Sequence, residues 1–207
     1  MQQSIEAIIF DIGGVLVRTT DWSGRRRWEQ QLGLQEFELS TLVFSSPEAA
    51  AACIGAGADE AIWRQLADRL NLNQKQLDSL RSDFWSGDTV NAEMLAFIRG
   101  IRKHHRTAIL SNAWPEMRDL NEQRFGLRGI VDVTTYSFEI RIQKPAPAAY
   151  LAVLQQLGIR SEAALFVDDS EINVRGASAL GIHTVHFTET DEAIRKISHY
   201  PGISAAD

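Results

Sequence analysis

Apolar residues along the chain fall into short uninterrupted runs separated by segments with helical spacing. The first run, residues 7–10, reads Ala-Ile-Ile-Phe and shows no alternation of apolar and polar positions. Such a run is typical of a strand buried on both faces of a parallel sheet. Four further runs with strand character lie at residues 107–110, 130–135, 163–167 and 182–187.

The segments between these strands have the pattern of amphipathic helices. Asn91 is a predicted N-cap for a helix with Met94 and Ile98 on its apolar stripe, and Pro147 and Gly158 bracket another. Five strands that alternate with helices predict an α/β fold with a doubly wound parallel sheet.

Residues 18–87 have a different pattern. Their apolar positions follow helical spacing throughout, as in Ile62 and Leu66 or Leu77, Leu80 and Phe84, and no segment is a convincing strand. We therefore expect an all-helical insertion over residues 18–87. The sheet domain would then be discontinuous and consist of residues 1–17 and 88–207.

Composition and charge exclude several functional classes. The chain has 207 residues, a formal net charge of −6 and a pI near 5.4, which argue against a general binder of nucleic acid or anionic membranes. Its single cysteine, Cys53, excludes an intramolecular disulfide and a multi-cysteine zinc site. No run approaches the ~18 apolar residues of a membrane span, and the N-terminus lacks a secretory pattern. We expect a soluble cytoplasmic protein.

Polar residues follow three of the predicted strands directly. Asp11 follows the first strand, Ser111 and Asn112 follow the second, and Asp168 and Asp169 follow the fourth. The carboxyl ends of parallel strands meet at one edge of the sheet, where open α/β folds bind ligands. Three carboxylates at one edge repel one another unless a hard cation lies between them, and oxygen ligands suit Mg²⁺.

The same edge is suited to phosphoryl chemistry. Lys144 precedes a predicted helix, and a hydroxyl, an amide and an ammonium together bind phosphate oxygens. One carboxylate is then free to attack phosphorus and form an aspartyl phosphate, which makes Asp11 the candidate nucleophile. This hypothesis requires the carboxyl groups of Asp11 and Asp169 to lie within about 8 Å of each other beside a cavity.

These residues resemble the motifs of the haloacid dehalogenase-like (HAD) hydrolase superfamily over the whole chain. The four motifs are similar to Phe10-Asp11-Ile12-Gly13-Gly14, Leu110-Ser111-Asn112, Lys144-Pro145 with Tyr150 downstream, and Asp168-Asp169-Ser170 with Asn173. The resemblance implies a three-layer, Rossmann-like core, a C1-type cap formed by the helical insertion, and Mg²⁺ as cofactor.

The resemblance also assigns roles to individual residues. Asp11 would be the nucleophile and a metal ligand, and Gly13 would supply a metal-binding carbonyl. Asp169 would bind the metal directly, with Asp168 and Asn173 close by. Ser111, Asn112 and Lys144 would hold the phosphoryl group of a small phosphorylated metabolite.

One position departs from the pattern of the superfamily's phosphatases. A second aspartate usually follows the nucleophile by two residues and serves as general acid and base, but this chain has Gly13 there. The loss of such a group typically costs ~10²–10⁴ in rate. Some related phosphatases share an Asp-x-Gly motif, including a branch that acts on sugar 1-phosphates. Since the anomeric hydroxyl is more acidic than an ordinary alcohol, its phosphate ester depends less on the missing acid, and we favour a slow phosphatase for such esters.

Other outcomes stay open. A group from the cap could replace the missing acid. The chain could be a metal-independent 2-haloacid dehalogenase, because halide leaves without a proton, or a non-catalytic member of the fold that binds phosphate or protein. Among the tryptophans, Trp28 and Trp63 are predicted to be core residues, whereas Trp22 and Trp114 are expected to line the substrate pocket.

Overall fold

The computed structural model of the protein describes residues 4–201 and 203. Its strands are β1 (Ala7–Phe10), β2 (Val17–Thr19), β3 (Asp88–Val90), β4 (Arg106–Ser111), β5 (Val133–Tyr136), β6 (Ala164–Asp168) and β7 (His183–His186). Five of them form a parallel sheet in the order β5-β4-β1-β6-β7. All five strands predicted from the apolar runs are present, which confirms the α/β class.

The remaining strands form a separate two-stranded ribbon. β2 and β3 pair in antiparallel fashion, with Arg18 opposite Thr89. The expectation that residues 18–87 contain no strand is therefore wrong at Arg18 and Thr19. The strand is only three residues long, too short for a periodic pattern to be visible, and it exists because a distant segment returns beside it. This ribbon joins the sheet domain to the helical insertion.

Eleven α-helices surround these strands in the described part of the chain. They are α1 (Ser23–Leu32), α2 (Glu38–Phe44), α3 (Pro47–Cys53), α4 (Asp59–Leu70), α5 (Gln74–Ser86), α6 (Ala92–Ile101), α7 (Pro115–Asp119), α8 (Ser137–Ile140), α9 (Pro147–Leu157), α10 (Glu171–Ser178) and α11 (Thr190–Ser198). A π-helical turn, Leu120–Arg124, extends α7, and a 3-10 turn, Ser161–Ala163, precedes β6.

The sheet lies between two layers of helices. Ile8 and Phe10 of β1 belong to a hydrophobic cluster that includes buried residues of α6 and α11. The alternate residues, Ala7 and Ile9, belong to a second cluster with residues of α9 and α10. Because successive side chains of a strand point to opposite faces, β1 is buried on both sides. Burial of each large aliphatic side chain contributes about 1.5–3 kcal/mol to the free energy of unfolding. The sheet with a layer of helices on each face confirms the predicted three-layer, Rossmann-like fold.

The five helices α1–α5 lie between β2 and β3 and have a hydrophobic cluster of their own. Local signals set their limits: Asn73 makes a capping box at the start of α5, and Asn71 ends α4 in the left-handed conformation. Trp28 and Trp63 are buried in this cluster, which confirms their prediction as core residues.

In the described ranges, 4–201 and 203, no helix has both the length and the apolar character that crossing a bilayer requires.

Candidate active site

Three strand ends meet at one edge of the sheet. β1 lies between β4 and β6, and the register aligns Phe10 with Ile109 on one side and with Val167 on the other. The residues that follow these aligned positions are the predicted ones: Asp11 after β1, Ser111 at the end of β4, and Asp168 at the end of β6. The parallel topology therefore brings together residues that lie between 57 and 157 positions apart in the chain.

Asp11, Asp168 and Asp169 form a carboxylate cluster at this edge. One oxygen from each side chain lies within 4.8 Å of the other two. Among the residues that the structure describes, this is the one group of three acidic, histidine or cysteine side chains so close together. The separation of Asp11 and Asp169 is well inside the limit of about 8 Å set by a shared ion.

Lys144 lies against the carboxylate cluster. Its Nζ is 2.8 Å from Oδ1 of Asp11 and 2.7 Å from Oδ2 of Asp168, and the residue is 2% exposed. One ammonium leaves two negative charges uncompensated when all three carboxyl groups are ionised. A buried excess of this kind is costly without a counter-ion, and a divalent cation has the matching charge.

The electrostatic cost is visible in the pKa values of the two outer acids. Burial raises the pKa of Asp11 from 3.8 to about 7; Lys144 opposes the shift, whereas the charges of Asp168 and Asp169 add to it. Burial also raises the pKa of Asp169, and the charge of Asp168 contributes in the same direction. A bound cation would favour the ionised forms and reverse both shifts.

Asp168 is the most enclosed member of the cluster. Its Oδ1 accepts hydrogen bonds from the Ser170 N–H at 2.8 Å and from Nδ2 of Asn173 at 3.2 Å, while Oδ2 accepts from Lys144. The Tyr150 hydroxyl in turn donates to the carbonyl of Asn173 at 2.8 Å. These bonds hold Asp168 in a geometry that orients Lys144 towards Asp11.

The turn after β1 is shaped to approach Asp169 closely. Gly14 has a φ of 74°, and a Cβ at this position would lie 2.0 Å from Oδ2 of Asp169. Only glycine therefore fits here. Gly13 differs, because a Cβ at that position would meet no atom within 4 Å. The Ile12 N–H donates to Oδ1 of Asp11 at 2.7 Å and fixes the carboxylate at the start of the turn.

Asn112 connects the second strand end to Lys144. Its Nδ2 donates to the carbonyl of Lys144 at 2.9 Å, and its Oδ1 accepts from the backbone N–H of Lys144 at 2.8 Å. The amide therefore holds the backbone that carries the lysine, and Asn112 also lines the cavity beside the cluster. Ser111 is 3% exposed at the end of β4. Phosphoryl binding by either residue stays a prediction.

A cavity of 960 Å³ opens beside the carboxylate cluster. Asp11, Gly13 and Asp169 line it from the sheet edge, and Trp22 and Phe44 line it from the helical insertion. A volume of this order accommodates a small metabolite. A separate cavity of 450 Å³ lies around Arg118, Glu122 and Tyr136 and contains none of the predicted site residues.

The placement of Trp114 corrects one prediction. Trp22 lines the cavity as expected, but Trp114 is 1% exposed and belongs to the hydrophobic cluster of the helical insertion. Its ring packs against that of Phe44, with centroids 5.8 Å apart. The sequence position of Trp114, two residues after Asn112, does not reveal this, because its burial depends on helices that precede it by some thirty to seventy residues. Trp114 is a packing residue and is not among the residues that line the cavity.

Several residues on the insertion side of the cavity had no assigned role in the sequence. Ser40 and Asp88 line the cavity together with Arg25, and His186 lines it from the end of β7. Nε2 of His186 lies 2.9 Å from the carbonyl oxygen of Asp169. No motif marks Ser40, Asp88 or His186. Arg25 and Arg18 are the exceptions, because the sequence indicates both as residues that could reach a substrate anion, and both line the cavity.

The parallel sheet and the acidic centre at its carboxyl edge define an α/β protein with a candidate active site at the ends of its strands. The family model of haloacid dehalogenase-like hydrolases matches residues 5–181. The protein therefore belongs to the haloacid dehalogenase-like hydrolase family, which confirms the resemblance seen in its motifs.

Several characterised proteins are similar to this chain. A phosphorylated carbohydrates phosphatase from Thermotoga maritima is 26% identical over 190 residues, which cover 88% of this chain and 84% of that protein. D-ribitol-5-phosphate phosphatase from Bacteroides thetaiotaomicron is 25% identical over 194 residues, with coverage of 87% and 90%. Ribulose-1,5-bisphosphate 5-phosphatase from Halopiger xanaduensis is 34% identical over 87 residues, so the match spans only 36% of that relative.

Solved structures share the fold. A HAD family enzyme from Bacteroides thetaiotaomicron, in complex with magnesium and inorganic phosphate, superposes with a TM-score of 0.71 at 21% identity and covers 87% of this chain and 93% of its own. L-2-haloacid dehalogenase from Xanthobacter autotrophicus, with chloropropionic acid covalently bound, gives 0.66 at 22% identity, with coverage of 97% and 84%. At these identities the likeness concerns the fold alone.

Proposed function

We propose that the protein is a Mg²⁺-dependent hydrolase of small phosphomonoesters that works through an aspartyl phosphate on Asp11. The observation that carries this proposal is the carboxylate cluster, bridged by Lys144 and open to a cavity of 960 Å³. Relatives named as phosphatases of phosphorylated carbohydrates and of ribitol phosphate support it.

The residues present fit magnesium. The three side chains of the carboxylate cluster all offer oxygen ligands, and the negative charge that Lys144 leaves uncompensated matches a divalent ion. Asp11, Asp169 and the carbonyl of Gly13 would hold the ion, with Asp168 next to them. When bound, the ion would offset the negative charge of the phosphoryl group and of the nucleophile.

The hydrogen bonds leave one oxygen of Asp11 available. The Ile12 N–H and the Lys144 Nζ both bind Oδ1, and no described residue binds Oδ2. We assign Oδ2 to attack on phosphorus, which forms the aspartyl oxygen–phosphorus bond as the ester oxygen–phosphorus bond breaks. Lys144 would offset the charge on the phosphoryl oxygens, as would Ser111 and Asn112 by hydrogen bonding. Water then hydrolyses the aspartyl phosphate to phosphate and restores the carboxylate.

We further propose that residues 18–87 act as a cap over a core of residues 1–17 and 88–207. The helical insertion has its own hydrophobic cluster and contributes one wall of the cavity, while the carboxylate cluster contributes the other. Residues 1–3, 202 and 204–207 of this proposed core lie outside the described part of the chain.

The cluster argues against the dehalogenase alternative. A 2-haloacid carries a carboxylate, and Asp168 and Asp169 would repel it next to Asp11 in the absence of a cation. We expect chelation by EDTA to abolish hydrolysis and excess Mg²⁺ to restore it, as measured by phosphate release. Release of halide from a 2-haloacid in the presence of EDTA would instead establish the dehalogenase.

Stability should depend on pH and magnesium together. The pKa of Asp11 is about 7 in the native state, compared with its ordinary value of 3.8, which applies to the unfolded chain. Between these two pH values the metal-free native protein therefore binds more protons than the unfolded chain. Its free energy of unfolding therefore falls as the pH rises from about 4 to about 7. We expect Mg²⁺ to raise the thermal unfolding temperature more at about pH 8 than at about pH 5, because the ion competes with this proton.

The matched variant for this measurement is Asp169→Asn, which removes the negative charge of one proposed ligand and should weaken the magnesium effect at both pH values. Equal stabilisation of the unaltered protein by Mg²⁺ at the two pH values would contradict the assignment of Asp11 to the metal site.

The proposed function also includes a preference for esters with acidic leaving groups. Gly13 supplies no acid for the departing oxygen, so esters of acidic hydroxyl groups should react fastest. We expect a higher kcat/KM for glucose 1-phosphate than for glucose 6-phosphate in the presence of Mg²⁺, measured by phosphate release. Equal values, or a preference for the 6-phosphate, would contradict the role given to leaving-group acidity.

A further inference from the structure

Arg25, Ser40 and Asp88 form a polar cluster, here termed the Arg25 cluster, on the wall of the cavity that the insertion and its ribbon provide. Nη2 of Arg25 is 3.0 Å from Oδ1 of Asp88, its Nε donates to the Phe84 carbonyl at 2.8 Å, and its Nη1 donates to the Ser40 hydroxyl oxygen at 3.3 Å. Arg25 is 4% exposed and Asp88 is 9% exposed, so both are firmly held.

The Arg25 cluster retains unused hydrogen-bonding capacity. A guanidinium has five N–H groups, and three of those of Arg25 are engaged by described residues, which leaves one on each terminal nitrogen. The bonds to Asp88 from Arg25 and from the Thr19 hydroxyl both go to Oδ1. Oδ2 receives none from the described residues. The cluster therefore offers two donors and one carboxylate acceptor to a ligand in the cavity.

Its charge favours a neutral ligand. Asp88 compensates Arg25 directly, and the buried carboxylate of Glu29 also acts on the guanidinium. The Arg25 cluster itself therefore has no surplus positive charge for a second phosphate or a carboxylate, and the other arginine that lines the cavity, Arg18, lies 3.8 Å from the carboxylate of Glu189. Hydroxyl groups, by contrast, donate and accept at once and match this mixed set of partners.

The surroundings suit a carbon skeleton with apolar faces. The Arg25 guanidinium lies 5.1 Å from the ring centre of Trp22, and Trp22, Phe44 and Trp85 line the same cavity. Aromatic rings can pack against the apolar face of a carbon skeleton, while the polar groups beside them form hydrogen bonds with its hydroxyl groups.

We propose that the Arg25 cluster binds adjacent hydroxyl groups of a neutral, sugar-like leaving group, with Asp88 Oδ2 as acceptor and the two free Arg25 N–H groups as donors. This assignment rests on the proposed phosphatase function and names its substrate class: monophosphates of neutral polyhydroxy compounds. Arg25, Ser40 and Asp88 are specificity residues under this proposal, and they take no part in the bond-breaking step.

The test compares two esters with acidic leaving groups, only one of which carries hydroxyl groups. These are glucose 1-phosphate and p-nitrophenyl phosphate, assayed with Mg²⁺ by phosphate release. Asp88→Asn keeps an oxygen for Thr19 and Arg25 but replaces the free acceptor. We expect it to lower the ratio of kcat/KM for glucose 1-phosphate to that for p-nitrophenyl phosphate about 10-fold to 100-fold, the range for a hydrogen bond to a charged group.

Ser40→Ala is the milder variant, because it leaves the buried ion pair intact. We expect it to lower the same ratio about two-fold to ten-fold by loosening Arg25. Thr41→Ala is the matched control, because Thr41 follows Ser40 on the same helix. Among the described residues its hydroxyl bonds only to the Phe37 carbonyl, so the substitution should leave the ratio unchanged. The unaltered protein should also show a lower kcat/KM for glucose 1,6-bisphosphate than for glucose 1-phosphate.

The outcomes separate this proposal from the function on which it rests. If the unaltered protein hydrolyses both esters but Asp88→Asn and Ser40→Ala lower the two kcat/KM values in equal proportion, the Arg25 cluster is structural and the proposal fails alone. A preference for the bisphosphate would also overturn it. If the unaltered protein hydrolyses neither ester, the proposed function fails as well. Should Asp88→Asn not fold, the ratio measured for Ser40→Ala decides.

Discussion

Replacement of Asp11 by asparagine is expected to lower the rate of phosphate release by ~10⁴-fold or more, because the amide has no nucleophilic oxygen to attack phosphorus. The substitution preserves shape, and its carbonyl oxygen can still accept the hydrogen bond from the Ile12 N–H. It also removes one of three crowded negative charges. The variant should therefore fold, with a thermal unfolding temperature no lower than that of the unaltered protein at about pH 8.

Turnover with an activated ester such as p-nitrophenyl phosphate is the appropriate measurement for Asp11→Asn, since such an ester reveals even slow catalysis. The variant should keep the circular dichroism spectrum of the unaltered protein. Undiminished turnover would show that another group attacks phosphorus. The absence of turnover in both proteins under any divalent metal would favour a non-catalytic phosphate-binding or protein-binding role for the fold.

Introduction of an aspartate at residue 13 is expected to increase turnover of glucose 6-phosphate by about 10²-fold, at the lower end of the range for a positioned general acid and base. The site has room, because a Cβ on Gly13 would meet no atom within 4 Å. Gly13 is also absent from the described glycines with positive φ, so an L side chain needs no strained backbone there.

The size of this gain should follow the leaving group. Gly13→Asp should help glucose 6-phosphate most, because an ordinary alkoxide needs a proton, and p-nitrophenyl phosphate least, because its phenolate leaves unaided. Gly13→Asn is the matched control, since it fills the same space without an ionisable group. Equal rates for the two variants would mean that the carboxyl group at this position supplies no acid catalysis.

The features that could be predicted from the sequence are those encoded locally. The apolar run Ala7–Phe10 is buried on both faces, and the parallel arrangement then dictates that Asp11, Ser111 and Asp168 share an edge. The motif around Lys144 predicts that this residue belongs to the site, and its Nζ lies between Asp11 and Asp168, whereas phosphoryl binding by Lys144 stays a prediction. In each case a short pattern and one rule of sheet topology were sufficient.

The features that escaped prediction depend on contacts between distant segments. Arg25 and Asp88 are 63 residues apart, and no sequence pattern near either residue predicts their ion pair. The ribbon that contains Arg18 exists only because residues 88–90 return beside it. Trp114 was expected to line the pocket, but helices of the insertion bury it. Packing of this kind depends on how side chains from distant segments fit together in the folded chain, and a local sequence pattern does not predict that fit.

The central claim is that an oxygen of Asp11 becomes covalently phosphorylated with the help of a divalent cation. Missing acid–base assistance at residue 13 should also slow hydrolysis of the aspartyl phosphate, so this intermediate should accumulate. Rapid acid quenching of the protein with p-nitrophenyl phosphate and Mg²⁺, followed by peptide mass spectrometry, measures it directly. We predict one phosphoryl group on the peptide that contains Asp11, absent with EDTA and in Asp11→Asn. Steady turnover with no such adduct, unaffected by EDTA, would contradict the claim.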